Sequence, residues 1–132
     1  KRGGTNCARR AVGGMAIEAV PACKLGQRRP GGAPYAPKGG GNGYLITFGG
    51  KRVLVAGDTE AVPEITALKS IDIAFLPMNL PFTMTPEMVA TAAKAMAPKV
   101  LYPYHFGNTD TAQLVALLED TPGIEVRIRN LK

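Results

Sequence analysis

The chain contains a single histidine, His105, which follows a largely apolar segment and precedes Phe106-Gly107. Asp58 has a similar setting, because it comes just after the apolar run that starts at Val53. A sheet presents ligands at its edge in this way, where a strand stops and a loop begins. Carboxylate oxygen and imidazole nitrogen are both good ligands for divalent metal ions. The two residues therefore predict a metal site built from the ends of separate strands.

Two ligands are too few for such a site, because catalytic zinc normally takes three protein ligands. Each residue also has an ordinary alternative. Asp58 suits a cap on the turn before a helix that begins near Pro63, and a lone histidine is commonly a plain core or surface residue. The position of the remaining ligands is therefore the central question.

Six segments rich in apolar residues predict strands. Gly49-Gly50 separates two of them and predicts a tight hairpin turn. The segment from Ile71 to Pro77 is apolar apart from Asp72, as expected for a strand covered on both faces. The predicted strands are residues 15–20, 44–48, 51–56, 71–77, 99–103 and 124–128.

Residues 24–43 predict a long loop, because Gly, Pro and Arg dominate this stretch. The run Lys38-Gly39-Gly40-Gly41-Asn42-Gly43 within it has two interpretations. Its backbone amides could cradle an anion. Without a strand before it and a helix after it, however, it is no phosphate-binding loop, and a flexible lid or plain connection is the simpler interpretation.

Three helices are predicted between the later strands. Pro63 suits the first turn of a short helix. Thr85 is a hydroxyl cap and Pro86 a favourable first residue for the second helix. Asp110 caps the third, with Gln113 as a capping-box partner. The resulting order, β-β-β-α-β-α-β-α-β, predicts an α/β sheet covered by helices.

Four motifs, in this order and spacing, resemble the metallo-β-lactamase-fold hydrolases and most closely their lactonase-like branch. The resemblance covers roughly Met15 to Leu131. It implies the C-terminal half of an αββα sandwich, a fold of two similar halves, with a mixed sheet covered by helices. The motifs are Gly57-Asp58-Thr59, Ile71-Asp72-Ile73-Ala74-Phe75-Leu76-Pro77, Met84-Thr85-Pro86-Glu87 and Tyr102-Pro103-Tyr104-His105-Phe106-Gly107.

The resemblance also implies roles for the two candidate ligands. Asp58 corresponds to a carboxylate that bridges two metal ions, and His105 corresponds to the last histidine ligand. A bridging carboxylate lowers the repulsion between two divalent ions, which can then share a hydroxide as nucleophile and polarise a substrate oxygen. No residue of the chain is assigned a catalytic role beyond metal binding.

Further residues are implied to support these ligands or the substrate pocket. Thr59 or Glu60 could orient the carboxylate, and Tyr104 could orient the imidazole. Asn79 follows a predicted strand, where it either reaches the substrate pocket or only forms a turn with Pro81.

Most metal ligands of the family are missing from this sequence. Members carry a His-x-His-x-Asp-His motif in the N-terminal half, and a chain with one histidine cannot contain it. A further histidine often follows the strand where this chain has Val20-Pro21-Ala22-Cys23-Lys24, and Cys23 is a candidate replacement. We therefore expect a divalent metal, zinc or manganese, that the isolated chain holds weakly.

The resemblance predicts a metal-dependent hydrolase of a small-molecule substrate, acting on a lactone, ester or phosphodiester-type bond, and incomplete and weakly active as this chain alone. The alternative is a non-catalytic truncated domain that kept the half-fold and lost the chemistry. A lone half exposes the sheet face that the other half would cover. We therefore expect a homodimer or a complex with a complementing N-terminal half.

Positive charge is concentrated in the front third of the chain. Residues 1–40 carry eight Lys/Arg and one acidic residue, whereas residues 41–132 carry eight Lys/Arg and nine acidic residues. We divide the chain into a basic, partly disordered arm, residues 1–14, and the half-domain, residues 15–132. The arm lacks interleaved aromatic residues and any recognised nucleic-acid-binding motif, so nucleic-acid binding is not expected.

The 132 residues, 45% of them apolar, are enough for one domain with a core. Cys7 and Cys23 support no disulfide framework, which predicts a reducing, cytoplasmic compartment. No apolar run approaches the length of a membrane span, so a membrane location is not expected.

Overall fold

A computed structural model describes residues 8–28, 30–32 and 34–132, which form a seven-stranded mixed sheet and three helices. The strands are β1 (Arg9–Val12), β2 (Met15–Arg28), β3 (Pro34–Phe48), β4 (Lys51–Val55), β5 (Ile73–Pro77), β6 (Val100–Tyr104) and β7 (Glu125–Val126). The helices are α1 (Pro63–Thr66), α2 (Pro86–Met96) and α3 (Thr111–Leu117). The strands lie side by side in chain order, antiparallel from β1 to β4 and parallel from β4 to β7.

Several elements begin and end at the expected residues. Gly49 and Gly50 form the tight turn that connects β3 to β4, with φ angles of +54° and +75°. The Thr85 hydroxyl accepts a hydrogen bond from the Met88 N–H at 3.1 Å and so caps α2. Asp110 caps α3 through the backbone N–H of Ala112. The longest helix, α2, has 11 residues, and none of the helices in the described ranges has the length and apolar character of a membrane span.

The helices cover one face of the sheet. Leu54 of β4, Leu76 of β5 and Leu101 of β6 have no exposed surface. They form one continuous hydrophobic cluster with buried residues of all three helices. Burial of this kind is the main stabilising contribution to the fold. The helix residues of the cluster include Ile65, Val89, Ala92, Ala93, Met96 and Leu114.

The opposite face of the sheet has no layer of helices or strands over it among the described residues, although Asn130, Leu131 and Lys132 line a pocket there with Val55 and Phe75. Because side chains alternate along a strand, the residues between the buried ones point to this side, and they are half-buried. The rings of Phe75 and Tyr102 stack here, with centroids 4.9 Å apart. The prediction that residues 71–77 are covered on both faces is therefore wrong within the described chain. We call this surface the bare face, formed by Ile46, Val53, Val55, Ile73, Phe75 and Tyr102.

The predicted long loop over residues 24–43 is also wrong, because most of it belongs to β2 and β3. The two strands pair along their length, with Lys24 opposite Ala36. A Cβ atom on Gly43 would lie 2.5 Å from the carbonyl oxygen of Ala56. Glycine at this position therefore permits close approach of two backbones rather than a turn. The run of residues 38–43 lies within β3, so it forms neither a lid nor an anion-binding loop.

The predicted arm is partly structured. Residues 9–12 form β1 and pair with β2, with Arg9 opposite Glu18. Residues 1–7, which include Cys7, lie outside the described residues. The boundary between arm and half-domain therefore stays a prediction.

Asp72 joins β5 to β4 at the start of the parallel part of the sheet. Its N–H donates to the Arg52 carbonyl at 2.9 Å, and its carboxylate accepts from the Arg52 N–H at 2.8 Å. The Lys99 ammonium lies 3.0 Å from the other carboxylate oxygen. The hydrogen bond from Arg52 and the contact with Lys99 both lower the pKa of Asp72.

We expect Asp72→Asn to lower the melting temperature at pH 7 and to have less effect in acid. A lowered carboxyl pKa stabilises the fold above the unfolded-state value of about 4, and the benefit is lost as pH falls through the folded-state pKa. Thermal melts of both proteins between pH 7 and pH 2 test this. A difference that persists at the lowest pH would mean that the charge of Asp72 is not what stabilises the junction.

Candidate metal centre

Asp58 and His105 meet at one edge of the sheet. Asp58 follows β4 and His105 follows β6, and both strands run parallel to the intervening β5, so their carboxyl ends share an edge. The imidazole Nδ1 lies 3.0 Å from the Asp58 Oδ1. An ionised carboxylate only accepts hydrogen bonds, so the imidazole donates from Nδ1. The structure thus brings together the two predicted ligands, which are 47 positions apart in sequence.

The spacing of this pair suits two ligands of one ion. Ligands at the usual distances from tetrahedral zinc lie roughly 3.3 Å from each other, slightly more than the 3.0 Å between these atoms. The side chains of Asp58 and His105 are 51% and 40% exposed, so an ion has access to both. Within the described residues, no group of three His, Cys, Asp or Glu side chains is placed to hold a metal ion. The pair therefore fits as part of a ligand set.

Lys24 also contacts the Asp58 carboxylate. Its Nζ lies 3.3 Å from Oδ2, the oxygen that does not face the imidazole. Sequence reasoning missed this residue and considered its neighbour Cys23 as a replacement ligand. Cys23 is fully buried in the hydrophobic cluster, because successive side chains of a strand point to opposite sides. The suggestion that Cys23 replaces a missing ligand is therefore contradicted.

Thr59 and Glu60 fasten the Asp58 loop to β2. The buried Thr59 hydroxyl accepts from the Cys23 N–H at 3.1 Å and lies the same distance from the Cys23 carbonyl oxygen. The Glu60 N–H donates to that carbonyl at 2.9 Å. The Glu60 carboxylate accepts from the Gly26 N–H at 2.8 Å. These bonds fix the loop through its backbone, and Asp58 is positioned as a consequence.

Gly57 makes the turn between β4 and Asp58. Its φ is +70°, and a Cβ atom there would lie 2.6 Å from the carbonyl oxygen of Asn42. Tyr104 reaches the same turn and is hydrogen-bonded to the Gly57 backbone. Burial and the negative charge of Asp58 raise the pKa of Tyr104 to about 12, although the Gly57 bond acts in the opposite direction. Tyr104 is therefore neutral at physiological pH, and this contact is with the Asp58 loop rather than with the imidazole.

His105 has a strained backbone. Its φ is +49°, in the left-handed region that residues other than glycine rarely adopt. Its N–H donates to the Leu131 carbonyl at 2.6 Å, which ties the C-terminal segment to the site. Strain of this type costs of the order of 1 kcal/mol and is found preferentially at functional sites.

Asn79 forms the turn that was one of its two predicted arrangements, and its reach into a substrate pocket stays a prediction. Its carbonyl accepts from the N–H groups of Phe82 and Thr83, so it forms a turn around Pro81. Its side-chain amide lies against the turn after His105, since a Cβ on Gly107 would be 3.5 Å from the Asn79 Oδ1. Asn79 is therefore beside the candidate site as well as within a turn.

Comparisons with known proteins agree on one family. The family model described as "Beta-lactamase superfamily domain" matches residues 6–106. A UPF0173 metal-dependent hydrolase of Symbiobacterium thermophilum is 35% identical over 102 residues, which are 72% of this chain and 43% of that protein. A crystal structure named as a metal-dependent hydrolase from Parabacteroides distasonis superimposes with a TM-score of 0.88 and 48% identity. It covers 96% of this chain and 56% of that one.

A more distant structure has the same fold. Igni18, a metallo hydrolase of the archaeon Ignicoccus hospitalis, superimposes with a TM-score of 0.72 at 24% identity, over 94% of this chain and 55% of that one. The chain spans about half the length of these relatives. The predicted fold, one half of a metallo-β-lactamase sandwich, is confirmed by this agreement with the mixed sheet described above.

We expect Gly57→Ala to be much more destabilising than Gly50→Ala. Both glycines have similar positive φ angles, +70° and +75°, but a Cβ on Gly50 has nothing within 4 Å. Gly50→Ala should cost only the backbone strain of about 1–2 kcal/mol. Gly57→Ala should cost about 3 kcal/mol or more, because the Asn42 carbonyl must also move. Urea unfolding of the two variants measures both losses, and equal losses would show that the close approach at Gly57 is unimportant.

Proposed function

The chain belongs to the beta-lactamase superfamily, and from this membership we propose that it carries part of the centre of a metal-dependent hydrolase. Asp58 and His105 are the metal ligands that it contributes, and the ion is divalent, zinc or alternatively manganese. The observation that carries this proposal is the 3.0 Å approach of their side chains from the ends of two strands. The names of the similar proteins, which include metal-dependent hydrolases, support the same activity.

The residues of the chain have separate tasks in this proposal. Asp58 supplies negative charge and His105 a directional nitrogen. A divalent ion would supply Lewis acidity, which activates water and polarises the bond to be cleaved. Thr59 and Glu60 keep the Asp58 loop fixed on β2, and Tyr104 supports the turn at Gly57. Rigid support of this kind keeps ligands in the geometry that catalysis needs.

The substrate is a small molecule with a lactone, ester or phosphodiester-type bond. Asn79 offers an amide donor and acceptor beside the His105 turn. Leu80 and Phe82, in the same loop, are 51% and 45% exposed and are apolar groups that a substrate could contact. A pocket with few polar groups and an apolar wall is typical of small-molecule sites.

The centre is incomplete in the described residues, and so is the layer around the sheet. We infer that the bare face receives a second sheet, from another copy of the chain or from a complementing N-terminal half. The half-length match to the relatives and the half-buried apolar residues of the bare face both support this.

We expect the isolated chain to hold zinc weakly and to retain well below one ion per chain after dialysis. Two protein ligands leave most of the coordination to water. Titration with zinc or manganese should reveal a weak site that Asp58→Ala and His105→Ala each weaken at least about tenfold. Elemental analysis after dialysis and the titration together provide the test.

Two other results of this experiment are informative. Near-stoichiometric metal that is lost in Asp58→Ala would mean that the chain supplies a complete ligand set, against our expectation. A metal affinity that neither substitution changes would contradict the proposed centre and favour a non-catalytic domain.

We expect the isolated chain to associate through its bare face at micromolar concentration. Val53→Lys, at the centre of that face, should shift the protein to monomer, because burying an unpaired ammonium is costly. Val115→Lys is the matched control, since Val115 is 44% exposed on α3, which covers the other side of the sheet. Sedimentation equilibrium measures the masses. A compact wild-type monomer would contradict the association.

A further inference from the structure

Lys24 is a buried lysine that forms an ion pair with the carboxylate of the proposed metal ligand, Asp58. Its side chain is only 10% exposed, and its Nζ lies 3.3 Å from the Asp58 Oδ2. A lysine is rarely withdrawn from water without a compensating charge. A surface ion pair of the same chemistry, Lys94 with Asp120 at 3.2 Å, has side chains that are 44% and 78% exposed. The Lys24 ammonium is therefore held at the site, whereas Lys94 extends over the surface.

The structure of β2 around Lys24 fixes the position of this side chain. The pairing of β2 with β3 shifts register on both sides of Lys24, and such bulges commonly redirect a side chain beside a functional site. The residue before it, Cys23, is bonded through its backbone to Thr59 and Glu60. Two residues after it, the Gly26 N–H donates to the Glu60 carboxylate. The Asp58 loop and the Lys24 segment are thus fastened together on both sides of the ion pair.

The two oxygens of Asp58 consequently face different groups. Oδ1 lies beside the His105 imidazole and Oδ2 beside the Lys24 ammonium. A carboxylate that bridges two metal ions would offer one oxygen to each. Here one of the two positions already has a fixed positive charge.

We propose that Lys24 acts as a built-in cation on the Oδ2 side of Asp58, so that the centre takes one divalent ion, on the His105 side, instead of two. This inference rests on the proposed function, because it assumes that Asp58 and His105 bind the metal. Lys24 compensates the carboxylate and repels a second ion. It also weakens the binding of the first, because a like charge lies within a few ångströms in a partly desolvated site.

Metal binding by charge variants tests the proposal. Lys24→Met keeps the apolar stem and removes the charge, Lys24→Gln removes the charge with a polar group, and Lys24→Arg retains it. The matched control is Lys94→Met, which removes a lysine from the surface ion pair with Asp120. Manganese binding by electron paramagnetic resonance and zinc binding by competition with a chromophoric chelator give affinity and stoichiometry without any enzymatic assay.

We expect the two neutral variants to bind metal at least about tenfold more tightly than the wild type. Lys24→Arg and Lys94→Met should bind like the wild type. The gain should disappear when Asp58→Asn is added to Lys24→Met. Added metal should also raise the melting temperature of Lys24→Met more than that of the wild type.

The outcomes separate the inference from the proposed function. If Asp58→Asn abolishes wild-type binding but the neutral variants bind no more tightly, or bind no metal, the role of Lys24 is wrong and the centre stands. If the neutral variants gain metal affinity equally with and without Asp58, the gain comes from the lower net charge of the protein, and the inference fails. If Asp58→Asn leaves all binding unchanged, the proposed centre itself is wrong.

Discussion

The candidate site depends on the fastening of the loop after β4 to the middle of β2. The Thr59 hydroxyl is hydrogen-bonded to backbone groups of Cys23, and the Glu60 carboxylate accepts from the backbone N–H of Gly26. These buried or half-buried bonds join two segments that are more than thirty residues apart in sequence. Each buried hydrogen bond adds only a modest amount to the free energy of unfolding. Breaking one is nevertheless costly, because it leaves a buried polar group without a partner and without water. The loop therefore has one preferred position. From that position Asp58 faces His105 on one side and Lys24 on the other.

The sequence predicted the elements whose signals are local. Strands β4 to β6 were recognisable from continuous apolar runs, and α2 from its threonine cap and following proline. The convergence of Asp58 and His105 was anticipated because both stand at strand ends, and parallel strands present their carboxyl ends at one edge. The resemblance added the identity of the fold, which periodicity alone does not determine.

The features that the sequence did not predict depend on contacts between segments that are distant in sequence. Glycine in residues 38–43 was interpreted as a loop signal, yet at Gly43 it reflects the nearness of Ala56 on a neighbouring strand. Nothing local to the sequence distinguishes these two uses of glycine. The suggestion that Cys23 is a ligand failed for a related reason. A bulge changes which side of the strand a residue faces, and bulges are set by pairing with a distant segment. The strain at His105 likewise requires the C-terminal segment that accepts its N–H.

The polar groups at the site compensate the charge of Asp58 without a metal ion. Asp58 is compensated by an ammonium and by an imidazole N–H, and its loop is held by bonds that involve no ion. A centre made mainly of carboxylates would repel itself without metal, whereas this one is already balanced. Asp58 and His105 would hold the proposed ion, and Lys24 would stay beside Asp58 because β2 fixes that residue. In the proposed centre, the remaining ligands would come from outside the described residues. A second sheet on the bare face would complete the layer that the strand compositions already require.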